Sequence, residues 1–257
     1  MLKTEKVQLE IKEETATISI NRPERRNALD GEVWAGLEEA ALKVKHSPEV
    51  KVVILTGAGE VFCAGLDLKA AATPGGLSMG ITLRDGIETL QHVSHIFSLY
   101  EKMPVPVIVA IKGACMGAGM ELALAGDIRI SADDTIFSIP EVAYGLVPDA
   151  GGTQRLPRLV GPGMAKELVL TGRKFDADEA HRIGLVNHVY SKDTLMEKAS
   201  EMADEIISLS PAAVQAAKRA LNMSMNSHLD TGLQYETAAA ERVLGDKLNE
   251  LFKDDSQ

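Results

Sequence analysis

The sequence predicts an α/β fold with buried strands, closed by a C-terminal helical region. Three observations carry this. Val50 to Leu55, apolar but for Lys51, and Val105 to Ile111 are apolar runs of strand length, the pattern of strands covered on both faces. Each is followed by a glycine-rich segment and then by helical spacing. From Asp193 to Phe252 the pattern is helical throughout, with no strand partner left. The expected division is a core over residues 1–192 and a helical region over residues 193–257, covering the core or packing on a second copy of the chain.

Taken in order, Val7 to Ile11 and Thr15 to Ile20 alternate apolar and polar around Glu13-Glu14, which predicts a hairpin. Asp30 is placed to cap a helix whose apolar positions are Trp34, Leu37, Ala41 and Val44. Ser47-Pro48 ends it, and the Val50 strand follows. Ala71 to Gly80 is small and glycine-rich and predicts a mobile loop. Leu83, Ile87, Leu90 and Phe97 mark a long helix that, with this loop, is expected to wall a pocket. After the Val105 strand and its glycine turn comes a helical run from Met120 to Ala125. Asp127 to Ser131 and Thr135 to Ile139 read as short strands. Gly151 to Leu159 and Gly163 to Leu170 read as helices, with Pro157 as a break. Asp176 to Ile183 reads as a short helix closed by Gly184, and Leu185 to Tyr190 as the last strand. Pro211 marks a helix start. The sequence has no fixed-period repeat.

Composition narrows the function. The chain has 257 residues, 45% hydrophobic and 25% charged, as in ordinary globular proteins. A net charge of −10 argues against nucleic acid or an anionic membrane as the main partner. Two cysteines, Cys63 and Cys115, form no disulfide framework and suit a reducing interior. The first residues carry charges without an apolar stretch, so a secretory signal is not expected and the cytoplasm is the expected compartment.

The chemistry gathers at the second glycine turn, Lys112-Gly113-Ala114-Cys115-Met116-Gly117-Ala118-Gly119. A strand-to-helix turn of this kind leaves backbone N–H groups free to hold a phosphate or a developing oxyanion. No Gly-x-x-x-x-Gly-Lys-Ser/Thr occurs, and the third glycine of a dinucleotide fingerprint is missing. Glu121, two residues after Gly119, would repel a phosphate and suits proton transfer beside an oxyanion hole. Glu141 follows twenty positions later and Asp149 eight after that, giving three carboxylates near one turn. The alternative is that the glycines serve only close helix–strand packing.

These motifs resemble the enoyl-CoA hydratase/isomerase, or crotonase, family. The resemblance runs from about Val7 to Leu248. It rests on Asn21-Arg22-Pro23 with Asn27-Ala28-Leu29, on Phe62-Cys63-Ala64-Gly65-Leu66-Asp67-Leu68, and on Gly117-Ala118-Gly119-Met120-Glu121-Leu122. Pro140-Glu141, Gly151-Gly152-Thr153-Gln154-Arg155-Leu156 and Gly184-Leu185-Val186 complete the set. It implies a crotonase-like spiral of repeated ββα units, assembled as a homotrimer or as a hexamer of paired trimers. It implies an acyl-CoA thioester as ligand, with no metal and no cofactor beyond that CoA. By position, the oxyanion hole falls to the N–H groups of Ala64 and Ala118. Glu121 and Glu141 match the pair that flanks the water in hydratases. Arg25, Ala28, Ala64, Gly65, Leu66, Asp67, Leu68 and Gly117 match CoA-contacting positions. Lys218 and Arg219 lie on a helix that in some members reaches CoA phosphates, though a solvated face is the plainer reading.

Asp149 departs from the hydratase pattern, where glycine is common, and matches an aspartate of dienoyl-CoA isomerases. Those enzymes shift two conjugated double bonds with an acid at each end of the diene, here Glu141 and Asp149. Either Asp149 points into the acyl pocket, or it caps the helix beginning near Gly151. The balance favours reversible hydration of a 2-enoyl-CoA. The alternatives are Δ3,5-Δ2,4-dienoyl-CoA isomerisation and a non-catalytic binding relative. His92 and His95, spaced i, i+3, lack a third ligand and read as a solvated helix face.

Overall fold

The structure is a computed structural model that describes residues 2–71 and 83–254. The loop expected from Ala71 to Gly80 lies almost wholly outside these residues. β1 (Val7–Lys12) and β2 (Thr15–Ile20) form the expected antiparallel hairpin, with Glu13 in the left-handed region at the turn. β2 leads a run of parallel pairings through β3 (Val52–Gly57), β4 (Val107–Ile111), β6 (Ile128–Ala132) and β9 (His188–Tyr190). The resulting six-stranded sheet has the order β1-β2-β3-β4-β6-β9.

Apolar runs without alternation arise because both faces of this sheet are covered. Val53, Leu55, Val107, Val109 and Ile111 point into the main core. Val52, Ile54, Ile108 and Ala110 point into a second core with Leu195, Ala199 and Ala203 of α8 (Leu195–Ile207). A division after residue 192 would therefore strip α8 from the face it seals. On the main-core side lie α1 (Gly31–Lys45) and α3 (Leu83–Glu101), joined where the buried Tyr100 hydroxyl donates to Leu37 O at 2.9 Å. Asp30 caps α1 as expected, Oδ1 accepting from Val33 N at 3.0 Å.

A second, three-stranded sheet holds β5 (Ala114–Met116), β7 (Ile136–Ser138) and β8 (Phe175–Asp176). It shows the repeat that sequence comparison alone misses. β4 is followed by β5 and α4 (Ala118–Leu124); β6 is followed by β7 and the 3-10 turn Glu141–Tyr144. After β3, Cys63 bridges Cys115 in parallel, and then comes α2 (Leu68–Ala71). Each unit is thus a strand in the large sheet, a short extended segment that is β5 or pairs with it, and a helical turn.

Some boundaries move. The glycine turn after β4 contains the extra strand β5. Pro157 lies inside α5 (Gly152–Val160) rather than breaking it, and the stop comes at Gly161, whose φ is +80°. Further on come α6 (Pro162–Thr171) and α7 (Ala177–Arg182), the latter capped by Asp176. The last strand shortens to His188–Tyr190. α9 (Pro211–Ser224) and α10 (Leu229–Asp254) pack on each other and complete the helical region. Lys218 of α9 is not on a solvated face. It is 7% exposed and donates to Asp127 Oδ2 at 2.6 Å and to Val105 O at 2.9 Å, bolting α9 to the entry of β4.

Candidate active site

Two glycine-rich segments meet at the centre of the molecule because they pair with each other. Phe62 N donates to Lys112 O, Cys63 N to Ala114 O, and Met116 N to Cys63 O. A Cβ on Gly65 would stand 2.7 Å from Met116 O and 3.6 Å from Ala118 N, so residues 65 and 118 are neighbours.

The structure corrects the Ala64 assignment. Ala64 N donates to Arg26 O at 3.0 Å, so that N–H is already spent. Leu29 bridges Leu66 in parallel, with Leu29 N donating to Gly65 O and Asp67 N donating to Leu29 O. In that pattern the N–H and C=O of Leu66 point away from residue 29. Leu66 N has no acceptor among the described residues, and neither does Ala118 N at the first position of α4. The free pair is Leu66 and Ala118. Sequence reasoning gave Leu66 a CoA contact but missed its free N–H, because backbone N–H groups alternate sides along a strand and the side is known only once its partner is.

Gly117 makes the turn into α4. Its φ of +53° and ψ of −127° belong to a region closed to side chains, and a Cβ there would lie 2.8 Å from Glu141 Oε1. The turn therefore brings Glu141 against the start of α4.

Glu121, in the first turn of α4, is 1% exposed. Its Oε1 accepts from Ala150 N at 2.9 Å and Gly152 N at 2.8 Å. Burial pushes its pKa up to about 7. Those two N–H bonds oppose the rise, and the negative charges of Glu141 and Asp149 add to it. Glu141 is half-buried, and its Oε2 is buried with no hydrogen-bond partner. Burial raises its pKa, and Asp149 adds to that.

The cap reading of Asp149 fails. α5 is capped by Gly151 without any side-chain bond. Asp149 lies on the solvent-exposed rim, yet its carboxyl is partly enclosed and its pKa is raised by that burial. The three carboxylates form one electrostatically connected cluster.

The remaining candidates sit on one side. The 22–30 loop is pinned to the 64–68 segment by Arg22, whose Nη1 donates to Ala28 O at 3.0 Å and to Asp67 Oδ2 at 2.7 Å. This places exposed Arg25 and partly buried Ala28 beside Ala64, Gly65, Leu66, Asp67 and exposed Leu68. Asp67 offers a ligand only its backbone. Its Oδ1 accepts from Lys69 N and Ala70 N, and its Oδ2 holds Arg22. Burial pushes the Cys63 thiol up to about 12, in keeping with packing rather than chemistry. Among the described residues, no three His, Cys, Asp or Glu side chains stand together as a metal site. No described helix is long and apolar enough to cross a membrane.

Repeated ββα units with two free N–H groups, one of them next to the Gly117 turn that abuts Glu141, suit an enzyme acting on an acyl thioester. The family model described as enoyl-CoA hydratase/isomerase matches residues 10–247, and the chain belongs to that family. The short-chain-enoyl-CoA hydratase of Clostridium acetobutylicum is 41% identical over 90% of this chain and 86% of its own. The crystal structure of enoyl-CoA hydratase from Bacillus anthracis superposes with a TM-score of 0.88 at 38% identity, covering 98% of this chain and 97% of that one. A Thermobifida fusca structure in complex with CoA aligns with a TM-score of 0.87 at 31% identity over 95% of each chain.

Proposed function

We propose that the protein adds water reversibly, and with syn geometry, across the 2,3 double bond of a 2-enoyl-CoA to give a 3-hydroxyacyl-CoA. The observation that carries this is the pairing of Glu121 with a buried, unpartnered Glu141 Oε2 beside two free N–H groups. Polarising a thioester oxygen makes Cβ electrophilic and places negative charge on that oxygen as the nucleophile adds. The N–H groups of Leu66 and Ala118 stabilise this enolate, each worth about 3 kcal/mol by analogy with other oxyanion holes. Glu121 spends Oε1 on the backbone and keeps Oε2 for a water; Glu141 Oε2 has no hydrogen bond to lose. The water gives its hydroxyl to Cβ, a carboxylate takes the proton, and a proton is delivered to Cα. Arg25 and the 64–68 segment hold the CoA moiety, with Gly117 lining its approach. The chemistry needs no cofactor beyond the CoA of the substrate.

A second reading, Δ3,5-Δ2,4-dienoyl-CoA isomerisation through Glu141 and Asp149, is favoured by one observation: Asp149 caps nothing and belongs electrostatically to the cluster. The deciding experiment follows the ultraviolet spectrum with crotonyl-CoA and, separately, with a 3,5-dienoyl-CoA. Hydration predicts rapid loss of the enoyl-thioester band, a fall of about 10²–10⁴-fold in Glu141→Gln, and a loss of no more than about tenfold in Asp149→Asn. A growing 2,4-dienoyl band that Asp149→Asn abolishes establishes the isomerase. Activity on neither substrate overturns both.

We also infer a homotrimer or paired trimers in the cytoplasm. Leu221, Leu229, Leu233 and Leu244, each at least 49% exposed on α9 and α10, suit subunit contacts. Sedimentation of the purified chain tests the assembly.

A further inference from the structure

The Glu121 carboxylate is held by a turn that another side chain grips from behind. Ala150 and Gly152 both aim their N–H groups at Glu121 Oε1, at 2.9 and 2.8 Å. The carbonyl of Ala150 points the other way and accepts from Arg155 Nη1 at 3.0 Å. Between them Gly151 has φ +113°, and a Cβ there would stand 1.9 Å from that same Nη1. The guanidinium fills the space that only glycine leaves. The backbone N–H of Arg155 also donates to Gly151 O at 2.8 Å, so this residue clasps the turn twice.

The far side of the guanidinium is anchored to the end of α3. Nη2 donates to Ser98 Oγ at 3.0 Å and Glu101 Oε2 at 2.9 Å, and Nε donates to Glu101 Oε2 at 3.2 Å. Arg155 is 13% exposed at its side chain. A planar fork reaches three acceptors on two elements at once, which a lysine ammonium on a flexible stem does not reproduce. If the Ala150–Gly151 peptide rotates, the two N–H groups that flank it no longer converge on one oxygen.

We infer that Arg155 is the positioning residue that fixes the orientation of the Glu121 carboxylate, acting through the Ala150–Gly152 turn. This rests on the reading of Glu121 as a proton-moving group. The contacts of Arg155 are with Ala150, Gly151, Ser98 and Glu101, none of them a proposed proton-moving group. Its effect comes from geometry: the charges that face Glu121 are those of Glu141 and Asp149, and Arg155 itself faces Glu101.

The test is Arg155→Gln in the full chain, with kcat and KM for crotonyl-CoA hydration measured across pH. The inference expects kcat to fall about 10²-fold from a small displacement of the carboxylate, with KM within about threefold of the parent. The pH limb set by Glu121 moves upward, because the two N–H bonds favouring its charged form loosen. The carboxyl stretch of Glu121, isolated as the infrared difference between each protein and its Glu121→Gln counterpart, must shift its titration the same way. A folded Arg155→Gln whose pH limb and carboxyl titration match the parent overturns the inference, whatever its kcat. Should Arg155→Gln not fold, Arg155→Lys and Glu101→Gln give the same two readings. If Glu121→Gln hydrates at the parent rate, the role proposed for Glu121 falls. The infrared titration still decides whether Arg155 holds that carboxyl.

Discussion

Replacing Glu121 by glutamine should destroy hydration and stabilise the protein, and the second effect depends on pH. Glutamine keeps an oxygen that accepts the Ala150 and Gly152 N–H groups, so the turn stays in place. It removes the cost of a buried charge. The carboxyl moves from its ordinary 4.5 to about 7 on folding. At about 1.4 kcal/mol per tenfold change in proton affinity, that cost is about 3 kcal/mol. Below pH 4.5 the group is protonated in both folded and unfolded chains, and the cost is absent. Between 4.5 and about 7 the folded chain holds a proton the unfolded chain has released, so stability falls as pH rises. Above 7 the whole cost is present. Relative to the parent, Glu121→Gln should be near neutral at pH 4.5 and more stable at pH 8 by about 3 kcal/mol, a rise in Tm of several degrees. The assay is thermal unfolding of both proteins across that range, at matched chain concentration, beside crotonyl-CoA hydration. A constant difference in Tm between pH 4.5 and pH 8 refutes the reasoning about burial. Undiminished hydration refutes the role.

Gly117→Ala forces a side chain into a glycine-only conformation and against Glu141 Oε1; it should cost about 1–3 kcal/mol in denaturant unfolding and about 10²-fold in hydration rate. Lys218→Met leaves the partly buried Asp127 without its nearest cation and should cost about 1–3 kcal/mol, while adding Asp127→Asn should restore a good part. Urea unfolding of the single and double variants measures both; equal stability of the two would show that the stranded charge is not the cause.

Much of this fold could be read because the burial that shapes it leaves local marks. The unbroken apolar runs at Val52 and Val107 announced strands with two covered faces, and Asp30 announced its helix by a cap. β5 was hidden because a three-residue strand inside a glycine turn has too few side chains to show a period. Pro157 misled because it stands in the interior of α5, where it removes the bond to Thr153 O without ending the helix. The carboxylates could be located from spacing, but their surroundings could not. Neither the two N–H bonds to Glu121 nor the failure of Asp149 to cap α5 has any local signature. Lys218 looked solvated since its partner, Asp127, lies 91 positions away.

The two N–H groups without an acceptor among the described residues belong to segments laced together by main-chain bonds from Phe62 to Met116, whereas Glu121 sits on α4, Glu141 on the 3-10 turn after β7 and Asp149 on the loop that follows it. Under the proposed function, the groups that would hold the anion belong to the ladder and the groups that would move protons to the segments attached to it. On that reading, changing one of the acids would leave the main-chain bonds between the two glycine-rich segments untouched. New reactions on the same thioester would then arise by refitting the rim rather than by rebuilding the frame.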